Sequence, residues 1–426
     1  MADRPNPDIP LSPRVDNDRD VAAMFANQAA WLVRNVAGTV LFANPAGKLQ
    51  PSDLVAVGSH GVAITNSAGP EVDEALRWLR TTPSSNVLIW SAVALDEAGI
   101  LLAARGCRDS FRPLWMRRAL ADRPPFPRIE ADVEIVIASP GDRGALLAAS
   151  DIPYFSTNQA LTLLHLATAP DKPRRVWMVL ARGQRRVAGA GILHLSEHNG
   201  EMIGGLYNLG VDPALRGQGI GTALTLELCR VARDHGANCI MLNATPDGER
   251  IYRQLDFTPI GEGQTWFLPS ASLRNPPSAA DIARAEAIAH GDTIVLEDQV
   301  ARVRSLPNGE SPLRFAARFE QRDSALWLLD RGADPEIVPL WMLGFRDEAI
   351  HAAGDVRWLN APRGPESTTS LHDAIRLNDA DLVRMLIAAG ADLTIRDGQW
   401  RGTPLDWANA LCHPDLAEII KLATPA

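Results

Sequence analysis

One stretch limits the folds open to this chain more than any other: Leu206-Tyr-Asn-Leu-Gly-Val-Asp-Pro-Ala-Leu-Arg-Gly-Gln-Gly-Ile-Gly-Thr222. An apolar strand ends at Pro213, a turn follows, and a glycine-rich run opens a helix. Helix starts carry N–H groups without intrahelical partners and the positive end of the macrodipole, so an anion is favoured there. Gly217, Gly219 and Gly221 lack the β-carbons that would hold a pyrophosphate away from those N–H groups. A Walker loop would need Gly-Lys-Ser/Thr, and this loop has no lysine. A dinucleotide fingerprint would need a third glycine at 222 and an acid closing the next strand, where the chain has Thr222 and Asn243.

The surroundings alternate strand and helix patterns. Val133–Ile137 alternates as a strand, Ala160–Leu166 suits a helix, and Val176–Ala181 is a strongly apolar strand. Two strands face each other across His198-Asn-Gly-Glu201, where Asn199-Gly200 is a strong hairpin signal. Ile220 to Asp234 carries Leu224, Leu228, Val231 and Ala232 at helical spacing, and Cys239–Leu242 is another buried-strand run. The pattern predicts an α/β domain with a mixed sheet.

A chain of 426 residues predicts two to four domains at ~100 to 200 residues each. Residues 1–20 are rich in Pro, Asp and Asn and predict a flexible tail. Proline-rich breaks at Arg123–Arg128 and across 270–280, the latter a linker, separate bodies at about 21–128, 130–269 and 281–426. With 51 acidic against 42 basic residues and a formal charge of −9, a broad phosphate-neutralising face is not expected, nor is a nucleic-acid partner. Cys107, Cys229, Cys239 and Cys412 form no Cys-x-x-Cys pair and have no histidines at zinc-ligand spacing, so no metal is expected. No apolar run approaches the ~18 residues of a membrane span, and the N-terminus lacks the pattern of a secretory signal. A cytoplasmic protein without membrane partners is the expectation.

The glycine-rich stretch resembles the cofactor-binding motif of the GNAT-type N-acetyltransferase superfamily. That motif, R/Q-x-x-G-x-G/A, matches Arg216-Gly-Gln-Gly-Ile-Gly221 between the expected strand and helix. Ile251-Tyr-Arg-Gln-Leu-Asp-Phe257 is similar to the family's L-Y-x-x-x-G-F block, with Asp256 in place of glycine, and Asp tolerates the left-handed backbone expected there. The resemblance covers about 132–269. It implies acetyl-coenzyme A as co-substrate and acetyl transfer to a primary amine, most simply of a small molecule, by direct attack in a ternary complex. Backbone groups of Leu209, Gly210 and Val211 would pair with the pantetheine and polarise the thioester carbonyl. The N–H groups from Gly217 through Gln218, Gly219, Ile220 and Gly221 to Thr222, behind Arg216, would hold the pyrophosphate. Asn243 would stand near the cofactor, where the family's two strands splay apart. Tyr252 matches the tyrosine that protonates the leaving thiolate; the alternative is a ring packed in the core. His194, Glu197, His198 and Glu201 cluster around the hairpin as possible bases, a water-linked base would also serve, and none is singled out.

Residues 21–128 are either a worn relative of the same fold, making a tandem arrangement whose first half walls the acceptor pocket, or an unrelated α/β domain. Trp90–Leu95 leading into Leu101–Cys107, then Ser110–Met116, is reminiscent of the second block and the strand after it. The last body repeats. Leu328–Asp334 and Leu386–Asp392 are near copies, as are Ser311–Ala316, Thr369–Ala374 and Thr403–Ala408. A T-P-L-H-x-A start, a later Gly-Ala-Asp and a period of about 33 residues resemble ankyrin repeats, implying an all-α solenoid of four or five helix pairs. One shortened unit is expected at Pro339–Asn360. Such a stack either binds a protein partner on its concave face or folds back on the acetyltransferase-like body. A binding protein carrying a silent acetyltransferase-like scaffold is the rival reading.

Overall fold

The computed structural model describes residues 18–36, 39–42, 52–58, 61–81, 86–93, 96–121, 129, 131–149, 152–183, 186–297, 305–364, 366–398, 400–411 and 413–424. The N-terminal part forms α1 (Asp18–Val36), β1 (Thr39–Phe42), β2 (Leu54–Gly58), β3 (Gly61–Thr65), α2 (Gly69–Arg80), β4 (Asn86–Ser91), α3 (Asp96–Ala104), β5 (Arg108–Asp109) and β6 (Leu114–Ala119). The middle part forms β7 (Glu134–Ile137), α4 (Arg143–Leu147), α5 (Thr157–Thr168), β8 (Val176–Arg182), β9 (Val187–His198), β10 (Glu201–Val211), α6 (Ile220–Asp234), β11 (Cys239–Ala244), α7 (Pro246–Gln254), β12 (Thr258–Glu262) and β13 (Gln264–Pro269). The chain ends with α8 (Ser270–Arg274), α9 (Ala279–His290), α10 (Thr293–Glu297), α11 (Pro312–Arg318), α12 (Arg322–Asp330), α13 (Ile337–Met342), α14 (Arg346–Ala353), α15 (Val356–Leu359), α16 (Ser370–Arg376), α17 (Ala380–Ala388), α18 (Pro404–Ala410) and α19 (Pro414–Ala423). The tail expected over 1–20 lies outside the described residues up to 17, and Asp18 to Asp20 already belong to α1. The first half of the linker expected over 270–280 is α8.

By their contacts the residues form two units, 18–95 with 112–265, and 96–111 with 266–424. In the first, β2 pairs antiparallel with both β3 and β4, and β1 lies parallel to β3. A second, seven-stranded sheet has the order β12-β6-β11-β10-β9-β8-β7. Within it only β10 and β11 run parallel, which is why their connection is the crossover helix α6 rather than a hairpin. β6, from the segment read as part of the first body, is inserted between β11 and β12 and pairs antiparallel with each.

Both faces of this sheet are covered, so β9 and β10 read as continuous apolar runs rather than alternating ones. Leu193 and Leu206 point into a core with Leu224, Leu228, Val231 and Ala232 of α6, each buried as the spacing predicts. Their neighbours Ile192 and Tyr207 point the other way, into a core with Trp31 of α1 and Leu163 and Leu164 of α5. Each leucine so buried stabilises the fold by roughly 1.5–3 kcal/mol, enough for α6 to anchor the loop that precedes it.

The second unit is a stack of helix pairs, α9/α10, α11/α12, α13/α14, α16/α17 and α18/α19, with the short α15 after the third. The repeated Ser/Thr start is a helix cap: Ser311 Oγ accepts from Arg314 N at 3.1 Å, and Thr403 closes a capping box with Asp406. His372, the motif histidine, joins neighbouring repeats, with Nδ1 2.8 Å from Thr369 Oγ1 and Nε2 3.1 Å from the Gly402 carbonyl. Asp373 is buried between Arg314 at 2.7 Å and Arg376 at 2.6 Å. Burial alone would raise its pKa, but the two guanidiniums outweigh burial and hold the carboxyl below its usual range. The stack's core continues into α3, whose Ile100, Ala103 and Ala104 join Ala285 and Ile288 of α9.

A fragment of residues 130–269 therefore lacks the strand that joins β12 to β11 in its own sheet. Trp115 and Met116 of β6 are fully buried, and losing a single such tryptophan side chain costs about 3–5 kcal/mol against a typical total of 5–15. We expect this fragment to elute as aggregates and to show no cooperative melt by circular dichroism; a monomeric, cooperatively unfolding fragment would show that β6 is dispensable.

Candidate active site

β10 and β11 pair from Ile203 opposite Cys239 to Leu206 opposite Leu242, and then part. Each stays with its other neighbour. β11 remains paired with β6 through Asn243 opposite Trp115 and Ala244 opposite Leu114, while β10 remains paired with β9 to Val211 opposite Gly189. β10 also bulges: its register with β9 shifts between Tyr207 and Gly210, so Asn208 and Leu209 together face Gly191. Asn208 takes a left-handed φ of +49°. The ladder with β9 is thereby interrupted at 208 and 209, beside the split. Gly210 comes next, where the Pro153 carbonyl approaches so closely that a β-carbon would collide with it. Leu209, Val211 and Asn243 are half-buried along the edges of the split.

Beyond Val211 the chain turns sharply. Asp212 is buried, receives Arg186 Nη2 at 2.9 Å, and accepts from Ala214 N at 2.9 Å, which fixes the turn at Pro213–Leu215. Arg216 and Gly217 are exposed, and Gln218 and Gly219 half-exposed. Gly217 (φ +79°) and Gly219 (φ +82°) are left-handed, which L side chains rarely adopt. A β-carbon at Gly217 would meet open space, so no side chain plugs the loop there. At Gly221 the nearest atoms are Ile251 Cδ1 at 3.6 Å and Val211 Cγ2 at 3.8 Å. The first bond of α6 runs from Ala223 N to the Gly219 carbonyl at 3.0 Å. From Gly217 to Thr222 no backbone N–H has an acceptor among the described residues. Half a dozen donors at the positive end of a 15-residue helix make a cradle for an anionic group.

Tyr252 stands in α7, whose N-cap Thr245 accepts from Gly248 N at 3.2 Å. Asp256, which replaces the expected glycine, does take the left-handed form at φ +59°, and Phe257 N returns to the Tyr252 carbonyl at 3.0 Å. The ring of Tyr252 is 6% exposed and packs 5.5 Å from that of Phe257. Burial first, with the nearby Tyr154 and Cys229 adding to it, pushes its hydroxyl well above the ordinary tyrosine range. The phenol is a weaker acid than usual and, as any tyrosine does, stays protonated at neutral pH.

The hairpin groups divide. Asn199 (φ +52°) and Gly200 (φ +79°) form the turn, with His198 opposite Glu201 and Glu201 paired with Arg19 at 2.7 Å. Glu197 is exposed. Leu209 lies eight residues further along β10 than Glu201, about 27 Å at the usual strand rise, so this end of the hairpin is remote from the split. His194 is nearer, opposite Gly205, but faces inward. It is 4% exposed, 5.8 Å from the ring of Trp31, and its Nδ1 has no partner among the described residues. Burial, then Arg34 and Arg175, depress its pKa to about 4. Asn27 and Trp31 of α1 surround it and Tyr207, and sequence reasoning did not find them. They lie more than 160 residues from their partners, and no local pattern marks them.

A search of protein families matches residues 147–257 to the acetyltransferase (GNAT) family and residues 368–398 to the ankyrin repeat. The chain carries a GNAT-family acetyltransferase domain followed by ankyrin repeats. Among curated proteins, the mycothiol acetyltransferase of Catenulispora acidiphila is 27% identical over 43% of this chain and 62% of its own length. That of Thermomonospora curvata is 31% identical over 43% of this chain and 64% of its own length. The glucosamine 6-phosphate N-acetyltransferase of Trypanosoma brucei brucei is 28% identical over 23% of this chain and 71% of its own length. The chain thus spans less than two thirds of the mycothiol acetyltransferases it matches. A solved GCN5-related N-acetyltransferase from Kribbella flavida aligns with a TM-score of 0.35 and 20% identity, over 49% of this chain and 80% of that one. No helix among the described residues is long and apolar enough to cross a membrane, and no cluster of metal-ligating side chains occurs among them.

The neutral His194 makes stability depend on pH with a definite sign. Its folded pKa of about 4 lies below the unfolded value of about 6.5, so the unfolded chain binds the extra proton between them. The contribution is complete above pH 6.5 and is lost as pH falls toward 4, amounting to roughly 3 kcal/mol at most. Urea midpoints measured from pH 7 to 4 should fall less in a His194→Gln variant than in the wild type. Parallel curves would contradict a buried neutral imidazole.

Proposed function

We propose that this chain transfers the acetyl group of acetyl-coenzyme A to a primary amine of a small molecule, by direct attack within a ternary complex. The observation that carries the reading is the row of unaccepted N–H groups from Gly217 to Thr222 beside the parting of β10 and β11. The pyrophosphate would lie against Gly217, Gln218, Gly219, Ile220, Gly221 and Thr222, with Arg216 alongside. The pantetheine would extend β10 at Leu209, Gly210 and Val211 like an added strand, and Asn243 would face it from β11.

In this scheme the neutral amine nitrogen attacks the thioester carbonyl carbon. The peptide groups of the β10 bulge would offer N–H donors to the carbonyl oxygen as charge develops on it. The carbon–sulfur bond then breaks, Tyr252 gives its phenolic proton to the departing sulfur, and the amine proton leaves to solvent or a water-linked base. The place of Tyr252 in the second matching block, Ile251–Phe257, supports this role, and like any tyrosine it holds its proton at neutral pH. A small acceptor is supported by the relatives, whose names carry mycothiol and glucosamine 6-phosphate, both small molecules.

The rival reading, a binding protein with a silent acetyltransferase-like scaffold, draws on the repeats. Ankyrin repeats generally mediate protein contacts, and Leu326, Met342, Ile350 and Val356 leave about half or more of their surface exposed. Titration calorimetry separates the two, since absence of acetyl-coenzyme A binding at millimolar concentration would leave only the scaffold.

Two substitutions test the enzyme reading. Gly219→Val places a β-branched side chain at φ +82°, and should reduce acetyl-coenzyme A affinity by at least a hundredfold in calorimetry. Unchanged affinity would refute the cradle. Tyr252→Phe should lower kcat by about 10²-fold in a thiol-release assay while leaving that affinity within about twofold. Equal turnover would remove Tyr252 from the chemistry.

A further inference from the structure

Asn27 is fully buried in α1 and reaches both strands of the β9–β10 hairpin. Its Nδ2 donates to Ser196 Oγ at 2.7 Å and to the Ile203 and His194 carbonyls at 3.2 and 3.4 Å, while Oδ1 accepts from the Tyr207 hydroxyl at 2.5 Å. The side chain uses both donor hydrogens and its acceptor, so the burial is satisfied. Tyr207 is held on every side. Its ring folds back over Gly205, where a β-carbon would collide with that ring and with Asn27, and Trp31 stacks on it at 5.2 Å and 12°. An apolar contact between α1 and the sheet would hold the helix as firmly without the desolvation of four polar groups. What the polar network adds is a single orientation for Tyr207.

That orientation matters because of the residues next to it in β10. Tyr207 is the last residue of β10 in register with β9 before the bulge, and Gly210, beneath the Pro153 carbonyl, is the first after it. Asn208, held at φ +49°, and Leu209 are strung between these two fixed points. We infer that Asn27 is a positioning residue for acetyl transfer: acting through Tyr207, it sets the direction in which the 208 and 209 peptide groups face the split between β10 and β11. The inference rests on the acetyltransfer reading and extends it, giving the N-terminal helix a part in the chemistry from behind the strand.

The test is steady-state thiol release with acetyl-coenzyme A and the best amine from a screen, beside calorimetric affinity and melting temperature, for wild type, Asn27→Ala, Tyr207→Phe and the double variant. Removing one donor to a developing oxyanion costs about 10²–10³ in kcat, so misdirecting donors that remain should cost less, on the order of tenfold, in each single variant. The double variant should be no slower than the slower single one, because both break the same link. Acetyl-coenzyme A affinity should stay within about twofold, since the 217–222 loop is untouched. Unchanged kcat in a folded variant overturns the inference. So does a fall in kcat matched by lost cofactor affinity, or additive losses in the double variant, either of which marks a merely structural role. Should Asn27→Ala fail to fold, Tyr207→Phe, which removes one oxygen, decides alone. If the wild type neither binds acetyl-coenzyme A nor releases thiol, the acetyltransfer reading itself has failed and the inference falls with it; a wild type that turns over beside indifferent variants refutes Asn27 alone.

Discussion

The separation of β10 from β11 after Leu206 is the constraint on which the rest of the site depends. A parallel pair normally continues until one strand ends, because each unpaired peptide group gives up a hydrogen bond. Here both strands run on, and each keeps a ladder on its outer side: β11 with β6, and β10 with β9. The sheet therefore opens at its centre while the outer neighbours stay paired, β10 with β9 through one bulge. The inner edges of the opening carry backbone donors and acceptors with no strand to meet them, the surface an extended, amide-bearing ligand can complete.

The bulge and the glycine loop act on that opening in succession along one chain. The bulge interrupts the β9 ladder at 208 and 209, and shortly afterwards Asp212 reverses the chain into a helix start whose N–H groups are unspent among the described residues. A ligand with a polar carbonyl at one end and linked phosphates at the other would meet both. Electrostatics and geometry point the same way. The donors at 217–222 sit at the positive end of α6, and the acidic groups nearest in sequence are occupied, Asp212 by Arg186 and Glu227 by Arg230.

How much of this the sequence carried depends on how local each feature is. The cradle was legible because its requirements, bare backbone at a helix start, are met by consecutive residues. Asp256 was legible for the same reason: a left-handed position after a helix accepts few residue types, and Asp is among them. The Asn199-Gly200 hairpin, the α6 face and the period of the ankyrin repeats come from short-range rules as well. The insertion of β6 between β11 and β12 was not legible, because an apolar strand such as Leu114–Ala119 fits any sheet with a free edge and nothing local names the partner. The bulge escaped too. Tyr207-Asn-Leu-Gly210 reads as plain strand, and the shift in register depends on which residues of β9 it meets.

The division of labour between buried polar groups rests on the same distinction. In the repeats, Asp373 lies between Arg314 and Arg376, a buried charge triad whose replacement by apolar side chains would be expected to cost little, so its value lies in fixing which helix meets which. In the sheet, Asn27 and Tyr207 form the corresponding device, but beside a strand that must leave its ladder immediately afterwards. A hydroxyl held at one acceptor, a ring closed in by Gly205 and Trp31, and a left-handed Asn208 leave Tyr207 little room to slip. Specificity of position, rather than added stability, is what a strand facing an open cleft requires, because donors aimed at a reacting carbonyl lose their effect once they are free to turn away.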